Sequence, residues 1–281
     1  MLRKRSRAKD AGSDLRRVLG GMELPTIPGV VTMAIEQVSA PDCDMRLVAE
    51  TVSRDPGLSA RILSVVNSAA YAPRNPIVGV AQAVTMFGKN HLESMLISLA
   101  ASRATSQVTA PGFDLGGFWQ IAAWKASAAG TISRRLDRAR SSENFSAALL
   151  QDIAVPLLVS GHPPYRAVFA DWQSGGGDLI ALERDAFGWT HYEVAGWLFD
   201  EWGFPEKLRV AVTESGEPES AVVEYPVVRA VACLSAPLPQ PEIIAGAAAV
   251  LHETFGLDSE TATRLLETAR VDGAKLAQSL S

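Results

Sequence analysis

The sequence predicts an all-α protein built as two helical lobes. Apolar residues recur at helical spacing along nearly the whole chain, and no alternating stretch of useful length suggests a strand. Proline, glycine and capping residues fall at intervals suited to helices of ordinary length. With 281 residues, 47% apolar and 20% charged, the chain has the size and composition of a globular protein with a large core.

The first lobe is expected over residues 20–108. Pro25 and Pro28 open it, and Val30, Val31, Ile35 and Val38 mark one helical face that stops near Pro41. Asp44 can cap a short helix that carries Leu47, Val48 and Val52 inward. Asp55-Pro56 is a strong helix start, because the carboxylate accepts backbone N–H groups and proline fits a position whose N–H has no helical partner. Leu58, Ile62, Leu63 and Val66 share the face that follows. Asn67 to Pro76 reads as a turn-rich connection. Val80, Val84 and Phe87 form the next stripe, Gly88 suits its end, and Leu92, Met95, Leu96 and Leu99 build another helix.

Residues 106–117 are rich in glycine and connect the lobes. The second lobe is expected over 118–281. Its first helix carries Trp119, Ala122, Ala126 and Ile132 and runs into the charged stretch Arg134–Arg140. The helix around Phe145–Leu158 is apolar on most sides and should be central. Thr190 with Glu193 has the spacing of a capping box.

Charge is unevenly distributed. Residues 1–17 carry seven basic and two acidic side chains, a net of +5, so the remainder must be −10 for the whole chain to reach −5. A body that acidic is a poor general partner for nucleic acid. The tail, residues 1–19, is expected to be flexible and solvated, with phosphates or an anionic membrane as alternative contacts. No apolar run approaches the ~20 residues of a transmembrane helix, since Gln151, Asp152 and Pro156 interrupt the stretch around Ala147–Val159. No apolar segment follows the N-terminal basic residues, which points to the cytoplasm. Cys43 and Cys233 lie far apart and form no CxxC pair, so neither a zinc site nor a disulfide framework is indicated. No P-loop, nucleophile elbow or dinucleotide fingerprint is present.

Several strings, in order and spacing, resemble the HDOD (HD-related output domain) family of bacterial signal-transduction proteins. They are Leu24-Pro25-Thr26-Ile27-Pro28, Ser53-Arg54-Asp55-Pro56-Gly57-Leu58, Asn67-Ser68-Ala69-Ala70-Tyr71, Phe118-Trp119, Leu149-Leu150-Gln151-Asp152-Ile153, Thr190-His191-Tyr192-Glu193 and Trp202-Gly203-Phe204-Pro205. The resemblance covers about 20–215 and implies that the second lobe is a degenerate HD-like bundle. An HD phosphohydrolase holds a divalent ion with histidine and aspartate ligands, and the ion makes a nucleophile of bound water. Here the first histidine position holds Ile121, the His-Asp pair is Gln151-Asp152, and a later histidine pair aligns with Thr213-Glu214. Only Asp152 and His191 remain, too few donors for a catalytic ion. Asp152 and Gln151 are expected to be hydrogen-bonded within the core, and His191 to serve its own helix start.

The resemblance therefore implies a non-catalytic regulatory protein-interaction module with no metal and no cofactor. Its partners would be signalling proteins, receiver or cyclic-di-GMP-related ones among them; 281 residues leave no room for those domains here, so the chain is expected to act alone or to bind such proteins in trans. Arg54, Asn67, Ser68 and Tyr71, at helix ends and turns, are the partner-binding candidates. Two alternatives stand beside this reading: a residual HD-type hydrolase of nucleotides or cyclic dinucleotides, and a nucleic-acid or membrane regulator acting through the tail.

Overall fold

In a computed structural model, residues 17–18, 25–67, 75–106, 108–175, 177–217, 222–235 and 240–280 are described. Most of them are helical, with no strand among them, so the all-α expectation holds. The first four helices are α1 (Gly29–Ser39), α2 (Met45–Ser53), α3 (Pro56–Val66) and α4 (Val80–Thr105). Caps set their starts as the sequence indicates. Asp44 accepts the N–H of Arg46 at 2.9 Å, and Asp55 that of Leu58 at 2.9 Å. α4 breaks at Gly88, which has φ +68° and ψ 171°, a left-handed value that glycine tolerates without strain.

One inward assignment fails. Leu47 is 43% exposed, while α2 buries Val48, Ala49, Thr51 and Val52. Val48 and Val52 are one helical turn apart and define the buried face. Leu47, about 100° away around the helix, points outward.

The longer second set begins with α5 (Leu115–Leu136), starting three residues before Phe118. α6 (Ser141–Leu150) and α7 (Ala154–Gly161) follow, then α8 (Pro163–Gln173), α9 (Leu179–Phe187), α10 (His191–Trp202) and α11 (Glu206–Thr213). The short α12 (Pro226–Ala230) leads to α13 (Gln240–Phe255) and α14 (Ser259–Leu280). The single helix expected around Phe145–Leu158 is thus two. Pro156 has no N–H to give the carbonyl of Asp152, four residues back, and that carbonyl instead accepts from Val155 at 2.9 Å. The chain turns at 151–153 and restarts. Among the described residues, the stretch Arg138–Gly161 is long and apolar enough by length and composition to cross a membrane, and 83% of its apolar window is buried inside the protein. It lies at the centre of the molecule, as its composition predicts.

One continuous apolar core runs from Val18 and Val31 through Leu96, Leu149 and Phe199 to Val228; Val18, in the stretch expected to be a solvated tail, is buried in it because an apolar side chain gains by packing there. A smaller core joins α5 to the C-terminal helices through Trp124, Ile132, Leu251 and Leu266. α14 crosses α5 very closely: a Cβ on Gly273 would stand 2.8 Å from the Trp124 backbone N and 2.9 Å from the Ala123 carbonyl oxygen. The Trp124 indole N–H donates to the Leu266 carbonyl at 3.0 Å, which sets the register of that crossing. Because backbone atoms cannot yield as a side chain can, Gly273→Val should cost about 3 kcal/mol. Denaturant titration of the variant against the parent chain measures this, and an unchanged midpoint would mean that α14 does not dock where described.

Candidate functional site

The turn between α6 and α7 places two adjacent polar side chains on opposite errands. Gln151 is fully buried, and its amide N–H donates to Ser215 Oγ at 2.7 Å and to the Val228 carbonyl at 3.1 Å. Asp152 turns the other way, toward α5. Its Oδ2 accepts the Lys125 ammonium at 2.7 Å and the Ser235 hydroxyl at 2.7 Å. Lys125 is only 1% exposed and sits one helical turn beyond Ile121 on α5.

The second half of the site comes from α9, α10 and α8. The capping box of α10 forms as expected, with Thr190 N–H donating to Glu193 at 2.8 Å and Glu193 N–H to Thr190 Oγ1 at 3.3 Å. It fixes the first turn of α10, where His191 N–H donates to Glu183 Oε2 at 2.9 Å. The His191 ring lies between two carboxylates. Nδ1 is 2.8 Å from each Glu183 oxygen, and Nε2 is 3.5 Å from Asp152 Oδ1. Tyr165, fully buried on α8, donates its hydroxyl to Glu183 Oε1 at 2.5 Å. His191 therefore links carboxylates on two elements, beyond its expected role within its own helix.

Both ring nitrogens of His191 face carboxylate oxygens, an arrangement that favours the imidazolium form. Burial alone would lower its pKa, but Glu183 and Asp152 outweigh that and push it up to about 9. Burial alone would raise the Asp152 carboxyl. The Lys125 ammonium and His191 reverse this and hold it well below the usual carboxylate range. The hydroxyl of Tyr165 is raised well above its ordinary value by burial and by Glu183. Two cations, Lys125 and His191, thus balance two anions, Asp152 and Glu183, within the bundle.

A divalent ion needs several lone pairs converging on open space. This constellation does not offer them. Ile121 has no donor atom, Gln151 faces Ser215, the His191 ring nitrogens are turned to Glu183 and Asp152, and Asp152 already carries an ammonium that would repel a second cation. Thr213 and Glu214 are committed locally: Thr213 Oγ1 donates to the Arg209 carbonyl, and Glu214 accepts the N–H groups of Glu224 and Tyr225. Among the described residues no group of three or more histidine, cysteine, aspartate or glutamate side chains is placed to share an ion.

The HDOD domain matches residues 24–218, well over half of the chain. The chain belongs to the HDOD-domain family. Solved structures agree on the fold of this HDOD chain. A protein of Shewanella amazonensis SB2B, provisionally named a phosphohydrolase, superposes with a TM-score of 0.75 at 22% identity over 95% of this chain and 98% of its own. An HDOD domain protein of unknown function from Geobacter sulfurreducens does so with 0.75 at 20% identity over 95% and 97%. A Marinobacter aquaeolei VT8 protein, provisionally named for signal transduction, reaches 0.72 at 21% identity over 98% of this chain and 66% of its own. At these identities the likeness concerns the fold. No curated protein matches the chain.

The two partner-binding candidates among the described residues, Arg54 and Asn67, are not part of this charged centre. Arg54 is exposed at the end of α2, where its N–H caps the carbonyls of Thr51 and Val52. Asn67 spends its amide on the backbone: Nδ2 donates to the carbonyls of Leu63 at 2.9 Å and Ile77 at 2.7 Å, and Oδ1 accepts the Ile77 N–H at 2.8 Å. It staples the two ends of a loop. Ser68 and Tyr71 lie outside the described residues. Ile121 is 36% exposed and lines a cleft above Asp152. Sequence reading passed over Lys125, Ser235 and the role of Glu183. A signal for Lys125 existed, since a lysine one turn after Ile121 in an alanine-rich buried face requires a buried anion nearby.

Removing the ammonium leaves the Asp152 carboxylate with only Ser235 and His191 as partners, so Lys125→Met should cost about 3 kcal/mol at neutral pH, read by chemical denaturation. The pH profile follows from the two shifts. His191, raised in the folded state, contributes stability that is full below its unfolded pKa of about 6.5 and is lost as pH rises through about 9. Asp152, depressed, contributes above its unfolded pKa of about 3.9 and loses that as pH falls toward its folded value. The thermal midpoint should decline between about pH 6.5 and 9, and His191→Gln should flatten that limb. An equal decline in the variant would show that other groups set it.

Proposed function

We propose that this HDOD chain is a non-catalytic regulatory module that acts in signal transduction by binding other proteins, receiver or cyclic-di-GMP-related ones among them. The observation that carries the reading is the Lys125 ammonium 2.7 Å from Asp152 Oδ2, at the aspartate that an HD hydrolase would use for its metal. A protein-borne cation neutralises that carboxylate, and His191 and Glu183 close the charge balance beside it. With Ile121 and Gln151 at the other positions, what persists is a rigid helical scaffold with a cleft, and scaffolds of this kind are readily kept for recognition.

The test is biochemical. The full chain is purified with manganese, iron or zinc present, and bound metal and turnover of cyclic-di-GMP and a generic phosphodiester are measured. The expected outcome is far less than one ion per chain and turnover no faster than buffer. Stoichiometric metal with turnover abolished by Asp152→Ala would overturn the proposal and restore the hydrolase reading.

A further inference from the structure

Above the charge-balanced centre, the second lobe opens into a cleft of about 1540 Å³. That exceeds the roughly 300–1,000 Å³ of ordinary small-molecule sites and suits a segment of polypeptide. Its walls are largely apolar and include Phe118 and Ile121 of α5, Trp172 of α8 and Val250 of α13. Ile121 and Trp172 remain partly open to solvent, and an aromatic beside an aliphatic group in a groove is a common anchor for a binding partner.

The rim determines what charge the occupant must carry. The floor contributes none, because Lys125 and His191 offset Asp152 and Glu183. Around the edge stand four exposed carboxylates from four different elements: Asp114 and Asp178 at the starts of α5 and α9, Glu217 beyond α11, and Glu253 on α13. Two guanidiniums accompany them. Arg184 is tied by Nη2 to the Gly216 carbonyl at 2.7 Å, and Arg229 is half-buried. The rim is therefore net negative, in keeping with the −10 of the chain beyond residue 17.

We infer that this cleft docks a basic segment of a partner protein that places aromatic or aliphatic side chains against Ile121 and Trp172 while its lysines and arginines meet the rim carboxylates. The inference rests on the proposed protein-binding role and specifies the surface and the chemistry of the partner. Long-range attraction to the rim speeds encounter and selects against acidic partners, and apolar anchors in the groove supply most of the affinity.

A phage-displayed random-peptide library selected on the full chain provides the probe, and the leading peptide is then synthesised and titrated by fluorescence anisotropy. Selected peptides should be net basic with an aromatic or aliphatic anchor, and added salt should weaken their binding. Glu217→Lys with Glu253→Lys inverts the rim without touching either helix cap, and should raise Kd at least about tenfold. Ile121→Ser should weaken binding by a similar factor with the salt dependence retained. The thermal midpoint of each variant confirms its fold. If Ile121→Ser unfolds the chain, the exposed charge pair carries the test alone. Neutral or acidic peptides, no enrichment, or binding unchanged by the charge reversal in a folded variant would each overturn the cleft assignment. Metal-dependent turnover in the parent chain would instead overturn the non-catalytic reading, so the two failures are distinguishable.

Discussion

A lysine ammonium and an aspartate carboxylate, 2.7 Å apart and sealed among helices, constrain much of this structure. Desolvating either charge alone costs several kcal/mol, so each is tolerable only while the other is held in place. The pair ties the middle of α5 to the α6–α7 turn, and Ser235 joins it from beyond α12. His191 extends the network to α9 and α10, and Tyr165 extends it to α8. Buried charges also have directions, and they demand a particular arrangement of helices where an apolar core would accept several.

The backbone at the turn serves that network. Proline at 156 interrupts the hydrogen bonding of the central helix, and residues 151 and 152 at that turn face different neighbours. Here Gln151 bonds Ser215 and Val228, while Asp152 reaches α5. The close crossing of α14 at Gly273 supports α5 from the other side and holds Trp124, the neighbour of Lys125, in register.

The charged centre is internally satisfied and contributes to the architecture, whereas the cleft above it presents apolar walls and an acidic edge. A neutralised floor leaves recognition to shape and to the charge of the rim. Under the proposed regulatory role, the region that would carry chemistry in a hydrolase serves, with a lysine in it, as a recognition surface.

The sequence by itself determined the helical class, the caps at Asp44, Asp55 and Thr190, the break at Gly88, and the absence of donor atoms at Ile121. These are local matters, decided by periodicity, by side chains that reach their own backbone, and by residue chemistry. It also showed that Asp152 would need a partner, without saying which. Tertiary structure alone decided that the partner is Lys125, 27 residues away, that Ser235 and His191 share the carboxylate, and that Leu47 faces outward. Asn67 read equally well as a contact surface or as a helix terminus, and only the return of the chain at Ile77 showed its amide bound to backbone on both sides of the loop. Such pairings depend on how whole helices approach one another, and a one-dimensional pattern records each residue's needs without recording which distant residue meets them.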